Sequence, residues 1–319
     1  MAILALVFAG CGGNVKVVKN TSPAERPVAK EATREELLEK YNAEARAVNS
    51  INATVELKPT AGSKYSGVIE EYHEVKAFLL AQRPASIRMI GQAPVIGTTV
   101  FDMVSDGQTF RVSIPSKNKF LVGAVSLERN SSKPIENLRP QHLLGALLWP
   151  EVRKEEPVLF EEFNDEAARY YVLTVLRGGY QTEILRKIWF DRANLEMARL
   201  ESFGPHGILL SDTRFSDWEA VNAAPSAPDG SAASPSSGGL QQFPHTIRID
   251  RPHDDYRLDL QIAKITLNEN IPADRFQLEQ PAGSELIHVG ETADTKPPDQ
   301  DTQPQNAKPQ GAERRGAAR

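Results

Sequence analysis

Hydrophobic positions along this chain first recur at helical spacing and then switch to strict alternation. Thr33 with Glu36 forms a capping-box pattern, and Leu37, Leu38, Tyr41, Ala45 and Val48 follow on one face, which predicts an N-terminal helix with a stripe to bury. From Asn52 the period becomes two. In TTVFDMVSDGQTFRVSIP, Asp106-Gly107 supplies a hairpin turn, and Phe110, Val112 and Ile114 alternate with Thr109, Arg111 and Ser113. In DDYRLDLQIAK, Tyr256, Leu258, Leu260 and Ile262 alternate with Arg257, Asp259, Gln261 and Ala263. Further strands are predicted at 53–58, 65–81, 86–91, 119–123, 158–163, 169–176, 181–190, 195–203, 207–218 and 245–250. About eleven antiparallel strands, each with one apolar and one wet face, make a mainly β body built on a strongly curved sheet or barrel.

One short helix interrupts the strands. In RPQHLLGALLWP, Pro140 suits a first turn, Leu143, Leu144, Leu147 and Leu148 form a dense apolar patch, and Pro150 stops the helix. It is too short to stand alone and must lie against apolar surface, either as a plug of the core or as a movable cover over the mouth. Residues 223–242 (AAPSAPDGSAASPSSGGLQQ) read as a disordered insertion between strands, and 291–319 as a polar tail.

The N-terminus has a different pattern. MAILALVFAGCGG carries an apolar run of about ten residues, short of the ~20 that span a bilayer but suited to the core of a secretory signal. No Lys or Arg precedes it, as a truncated start would give. Cys11 is the only cysteine, so an internal disulfide and a Cys-based metal site are excluded. VFAGC resembles the bacterial lipobox, which implies a signal peptide at 1–10, cleavage before Cys11 and acylation of Cys11; the alternative is a buried strand with an incidental thiol. Residues 11–32 have a tether's composition, leaving a domain at 33–290. Hydrophobic residues at 40%, charged residues at 25% and no second long apolar run describe a soluble body, and a net charge of −5 argues against a nucleic-acid surface.

Catalytic chemistry is hard to find. The six histidines show no metal-ligand spacing, and no nucleophile elbow, phosphate loop or dinucleotide fingerprint occurs. Arg251 to Tyr256 (RPHDDY) is the densest polar cluster and reads as a solvated hairpin turn. No enzyme, metal or cofactor is expected; an apolar ligand is.

Three strings carry a family resemblance. SIRMIGQAPVIGTTVFDMVSDGQTF, IWFDRANLEMARLESFGPHG and NIPADRFQLEQPAGSELIHV are similar to stretches of the lipoprotein-localisation proteins LolA and LolB. The resemblance implies an unclosed barrel of about eleven antiparallel strands, with helices over its mouth and a hydrophobic cavity for the acyl chains of lipoproteins. Cys11 points to the membrane-anchored LolB side, and Gly12 in place of Asp to the outer membrane, facing the periplasm, with a LolA-like carrier as partner. Ile96, with Val95 between Pro94 and Gly97, matches the family's exposed apolar loop, which implies a membrane-contact tip; its ordinary alternative is a buried hairpin corner. Two functions remain open at this point: lipoprotein handling, or a lipid-sensing or scaffolding module with the same fold.

Overall fold

The structure is a computed structural model that describes residues 27–63, 68–71, 73–126, 139–164, 168–179, 182–224 and 239–289. The signal segment, Cys11, the tether up to residue 26, most of the insertion and the tail lie outside the described residues.

Helix α1 (Arg34–Ala47) begins as its sequence predicts: Thr33 accepts from the backbone N–H of Glu36, and the Glu36 carboxylate accepts from the backbone N–H of Thr33. The first wing of the sheet follows as β1 (Ser50–Ser63), β2 (Val68–Glu71), β3 (Val75–Gln82), β4 (Ser86–Gln92), β5 (Thr99–Ser105), β6 (Thr109–Ile114) and β7 (Lys119–Ala124). Helix α2 (Pro140–Leu147) leads to β8 (Val158–Asn164), β9 (Arg169–Arg177), β10 (Glu183–Asp191), β11 (Met197–Phe203), β12 (Leu209–Asn222), β13 (Leu240–Arg251), β14 (Tyr256–Leu267) and β15 (Glu285–Val289).

All fifteen strands among the described residues belong to one sheet, ordered β15-β7-β6-β5-β4-β3-β1-β14-β13-β12-β11-β10-β9-β8, with β2 added to β1. The fold is therefore mainly β and unclosed, as expected, but larger than about eleven strands and not wholly antiparallel. β15 pairs with β7 in parallel. It arrives by a long connection, residues 268–284, whose lack of periodicity hid the strand. The predicted strand 65–81 breaks into β2 and β3, because His73 and Glu74 leave the ladder. The expected insertion is shorter than 223–242: Leu240 already pairs with Asn222, and Ala223 bridges to Leu267. The expected tether is shorter too, since Glu31 is bonded to Arg192 at 2.8 Å and to the Tyr171 hydroxyl at 3.0 Å.

β1 is the seam, paired on one side with β3 and on the other with β14. Its alternation places Ile51, Ala53, Val55 and Leu57 on the inner face, each 3% exposed or less. Ala77, Leu79, Ile87 and Met89 continue that face on one wing, and Leu258, Leu260, Ile247 and Ile249 on the other. Each buried aliphatic side chain of this size contributes about 1.5–3 kcal/mol, so the inner face dominates the fold's stability.

Chain order then decides where α2 must lie. β7 stands near one edge of the sheet and β8 forms the other, and α2 lies on the stretch of chain between them. The chain between them thus returns over the sheet, and α2 packs on its inner face against β4 and β5 on one wing and β13 on the other.

Candidate functional site

The site is the apolar inner face and the two helices that cover it. On α1, Leu37, Tyr41 and Ala45 are fully buried, as helical spacing predicts. On α2, Leu143, Ala146 and Leu147 are buried, Leu144 is half-buried, and Leu148 caps the helix with its side chain buried. All four predicted leucines therefore belong to the cover. Sequence reasoning missed Trp149. It is 2% exposed and sits in an aromatic cluster, with ring centroids 5.9 Å from Phe215, 6.2 Å from Phe243 and 6.4 Å from Trp218. Side chains of both helices fill the inner face, where the family resemblance implies a hydrophobic cavity.

Polar groups brace the cover at three places. The Tyr41 hydroxyl donates to the carbonyl of Pro150 at 2.8 Å, and Asn42 exchanges two hydrogen bonds with the backbone of Val152. These bonds lay the chain after α2 along α1. Burial pushes the Tyr41 phenol well above its ordinary pKa, so it remains a donor. The second brace is Arg83, whose guanidinium donates to the carbonyls of Val48, Ala45 and Trp149 at 2.8–3.0 Å. It satisfies carbonyls that the end of α1 leaves without helical partners, and its charge opposes the negative end of the helix dipole.

The third brace corrects part of an expectation. The β13–β14 hairpin turn forms as predicted, with Pro252 and His253 exposed, but it is not wholly solvated: Asp254 is 8% exposed and Tyr256 is 4% exposed. The His142 ring from α2 meets them, with Nδ1 2.5 Å from the Tyr256 hydroxyl and Nε2 3.2 Å from Arg251 Nη2, while Arg251 donates to Asp254 at 2.6 Å. Sequence distance concealed this cluster, because His142 lies 114 residues from Tyr256. On the opposite wing Gln141 donates to the Ser105 hydroxyl, and the Arg139 guanidinium lies 4.8 Å from the centre of the Phe110 ring. α2 is thereby fastened to both wings.

At one margin of the cover an open cleft of about 440 Å³ is polar, lined by Arg46, Arg83, Arg153 and Arg186 with Glu151 and Glu156. Burial works against the charge on Glu156, but the Arg153 backbone N–H and the Arg186 and Arg153 guanidiniums outweigh it and hold that carboxyl below its usual range. Beside the end of α1, Arg46 pairs with Glu151, and Arg153 and Arg186 share Glu156.

The predicted tip is exposed. Pro94, Val95, Ile96 and Gly97 form the β4–β5 turn, with Val95 fully exposed and Ile96 74% exposed. Val95 has φ +72° and Gly97 φ +66°, and a β-branched residue in that region carries backbone strain of about 1–2 kcal/mol. The buried-corner alternative is thus excluded by geometry. The turn lies at the opposite end of the strands from Arg192 and Arg169, which hold residues 27–31. Among the described residues no helix is long and apolar enough to cross a membrane.

No protein-family model matches the sequence, and no curated protein matches it. Solved structures do. The chain is similar in fold to a LolA superfamily protein from Nitrosomonas europaea, with 14% identity over 78% of this chain and 99% of the other at a TM-score of 0.45. It is similar to a DUF1329 family protein from Desulfovibrio piger, with 13% identity over 75% and 94% at 0.46. A Vibrio parahaemolyticus domain named for outer membrane lipoprotein sorting aligns with 12% identity over 76% and 94% at 0.45.

Proposed function

We propose that this protein is a non-catalytic, lipid-anchored lipoprotein of the outer membrane, facing the periplasm, that takes acyl chains of lipoproteins or lipids between its inner sheet face and the α1–α2 cover. The observation that carries the reading is α2: an apolar helix laid over the inner face of an open sheet and fastened to each wing by a few polar bonds, not by a closing strand ladder. Such a cover can be lifted without breaking the sheet. An acyl chain of sixteen carbons gains on the order of 10 kcal/mol on leaving water, at ~0.8 kcal/mol per methylene, a gain comparable to that of the leucines that occupy the face, at about 1.5–3 kcal/mol each.

Two further features support it. Among the described residues no acceptor partners the buried indole N–H of Trp149 or of Trp218, and the carbonyl of an ester- or amide-linked acyl chain is an acceptor of the right kind. The exposed Val95-Ile96 tip offers apolar surface to a bilayer from the end of the fold remote from residue 27.

Native mass spectrometry of protein purified from a bacterial envelope tests the reading. Copurifying acylated species, together with a mature N-terminus at an acylated Cys11, are expected. A mature chain without acylation, with no uptake of a fluorescent acylated peptide by the soluble domain, would overturn it.

A further inference from the structure

The His142 cluster is more than a fastening, because its geometry holds only for one protonation state. Nε2 faces the Arg251 guanidinium, a group with no acceptor, at 3.2 Å, so it must present its lone pair there. Nδ1 then carries the proton and faces the Tyr256 hydroxyl at 2.5 Å. The ring also stacks beside Tyr256, with centroids 6.0 Å apart and planes inclined by 21°.

Among the described residues the groups around the ring come from these places. The N-cap of α2 supplies the buried Arg139; the end of β13 supplies Arg251; the β13–β14 turn supplies Asp254, its carboxylate 4.0 Å from Nδ1; β14 supplies the Tyr256 hydroxyl. β5 contributes the neutral Ser105, bonded to Gln141, and the inner face of β4 is apolar with Ile87 and Met89. The carboxylate nearest the ring is already bonded to Arg251. A second ring proton would turn the Nε2 acceptor into a donor aimed at Arg251 and place another positive charge 3.2 Å from that guanidinium.

We propose that His142, Tyr256 and Arg251 form an acid-released latch: neutral His142 holds α2 against β13 and β14, and protonation of His142 frees that side of the helix from the inner face.

Burial, then Arg251 and Arg139, hold the His142 pKa well below its ordinary value near 6.5. The sign follows directly. Below about pH 6.5 the released state takes up a proton that the latched state refuses, so the latch is fully present above that pH and is lost progressively as pH falls toward the depressed value. What the opening is for rests on the acyl-binding reading. Whether α2 is released by acid is measured with no lipid present, so either can fail without the other.

Hydrogen–deuterium exchange of the full chain, corrected for the intrinsic pH dependence of exchange, tests the latch. Protection over residues 140–148 should fall at least about tenfold between neutral pH and about two pH units lower, while β1 keeps its protection. His142→Gln retains a donor toward Tyr256 and an acceptor toward Arg251 but cannot be protonated, and it should lose the pH dependence while keeping α2 protected. A flat profile in the native protein, the same fall in His142→Gln, or a simultaneous loss in β1 would each overturn the proposal. Should that variant fail to fold, imidazole NMR of the unsubstituted protein decides: His142 should titrate well below its ordinary value near 6.5, with a midpoint that coincides with loss of α2 protection. Titration of His142 near that ordinary value would sink the latch.

Discussion

Nη2 of Arg83 lies 3.0 Å from the carbonyl oxygen of Trp149 and 2.8 Å from that of Ala45, so a residue from the β3–β4 turn ties the end of α1 to the chain leaving α2. Nε adds the carbonyl of Val48 at 3.0 Å. Three carbonyls depend on one side chain. Arg83→Leu should therefore cost about 2–4 kcal/mol, since charged donors contribute more than neutral ones and the acceptors left behind are partly buried. Arg83→Lys should recover only part of this, because a point charge cannot serve three divergent acceptors. Urea denaturation measures both, and a loss under about 0.5 kcal/mol for Arg83→Leu would remove the brace from the account.

The two leucines at the middle of α2 should separate by burial. Leu143 has no exposed surface, and its replacement by Ala leaves a cavity, costing about 2–5 kcal/mol. Leu144 is half-buried, and the same change there should cost about 1 kcal/mol. Equal costs in thermal or urea melts would mean that α2 does not sit on the inner face as described.

The tip invites a test in which stability and binding move apart. Val95→Gly should raise stability by about 1 kcal/mol by relieving the φ of +72°. Ile96→Ser should leave stability within about 0.5 kcal/mol, because the side chain is exposed, yet weaken binding to phospholipid vesicles by roughly five- to tenfold. Vesicle flotation with unchanged binding for Ile96→Ser would take the tip out of the membrane-contact role.

Glu44 gives a pH signature independent of His142. Its carboxyl is pushed up by burial, a shift that the bond to Lys40 only partly opposes. The folded state then holds this proton more tightly than the unfolded chain, so this contribution to stability is present below about pH 4.5 and declines as pH rises through the elevated folded value. Glu44→Gln removes that decline. Relative to the native protein the variant should gain stability as pH rises from about 4 to 7, read as diverging urea midpoints; parallel profiles would refute the assignment.

Much of this architecture was legible in local pattern. The capping box at Thr33 and Glu36, the buried stripe of α1, the Asp106-Gly107 hairpin and the alternation from Tyr256 to Ile262 depend on neighbours within a few residues, and the structure keeps them all. The apolar patch of α2 was equally plain. Its partner was not, because which strands an amphipathic helix meets depends on sheet order, and order is set by pairings such as β1 with β14 that join residues about 200 positions apart.

The same distinction divides the site. The chain's own composition and periodicity determined a mainly β body with one greasy short helix, a cysteine placed behind an apolar run, and an apolar Pro-Gly turn at Val95 and Ile96. Only tertiary structure decided that Asp254 and Tyr256 are buried beside Arg251, that His142 closes on them, and that β15 extends the sheet in parallel. Periodicity reports which face of an element avoids water, whereas the partner of a polar group is fixed by long-range approach in a medium where an unpaired charge is costly, and no local pattern encodes that approach.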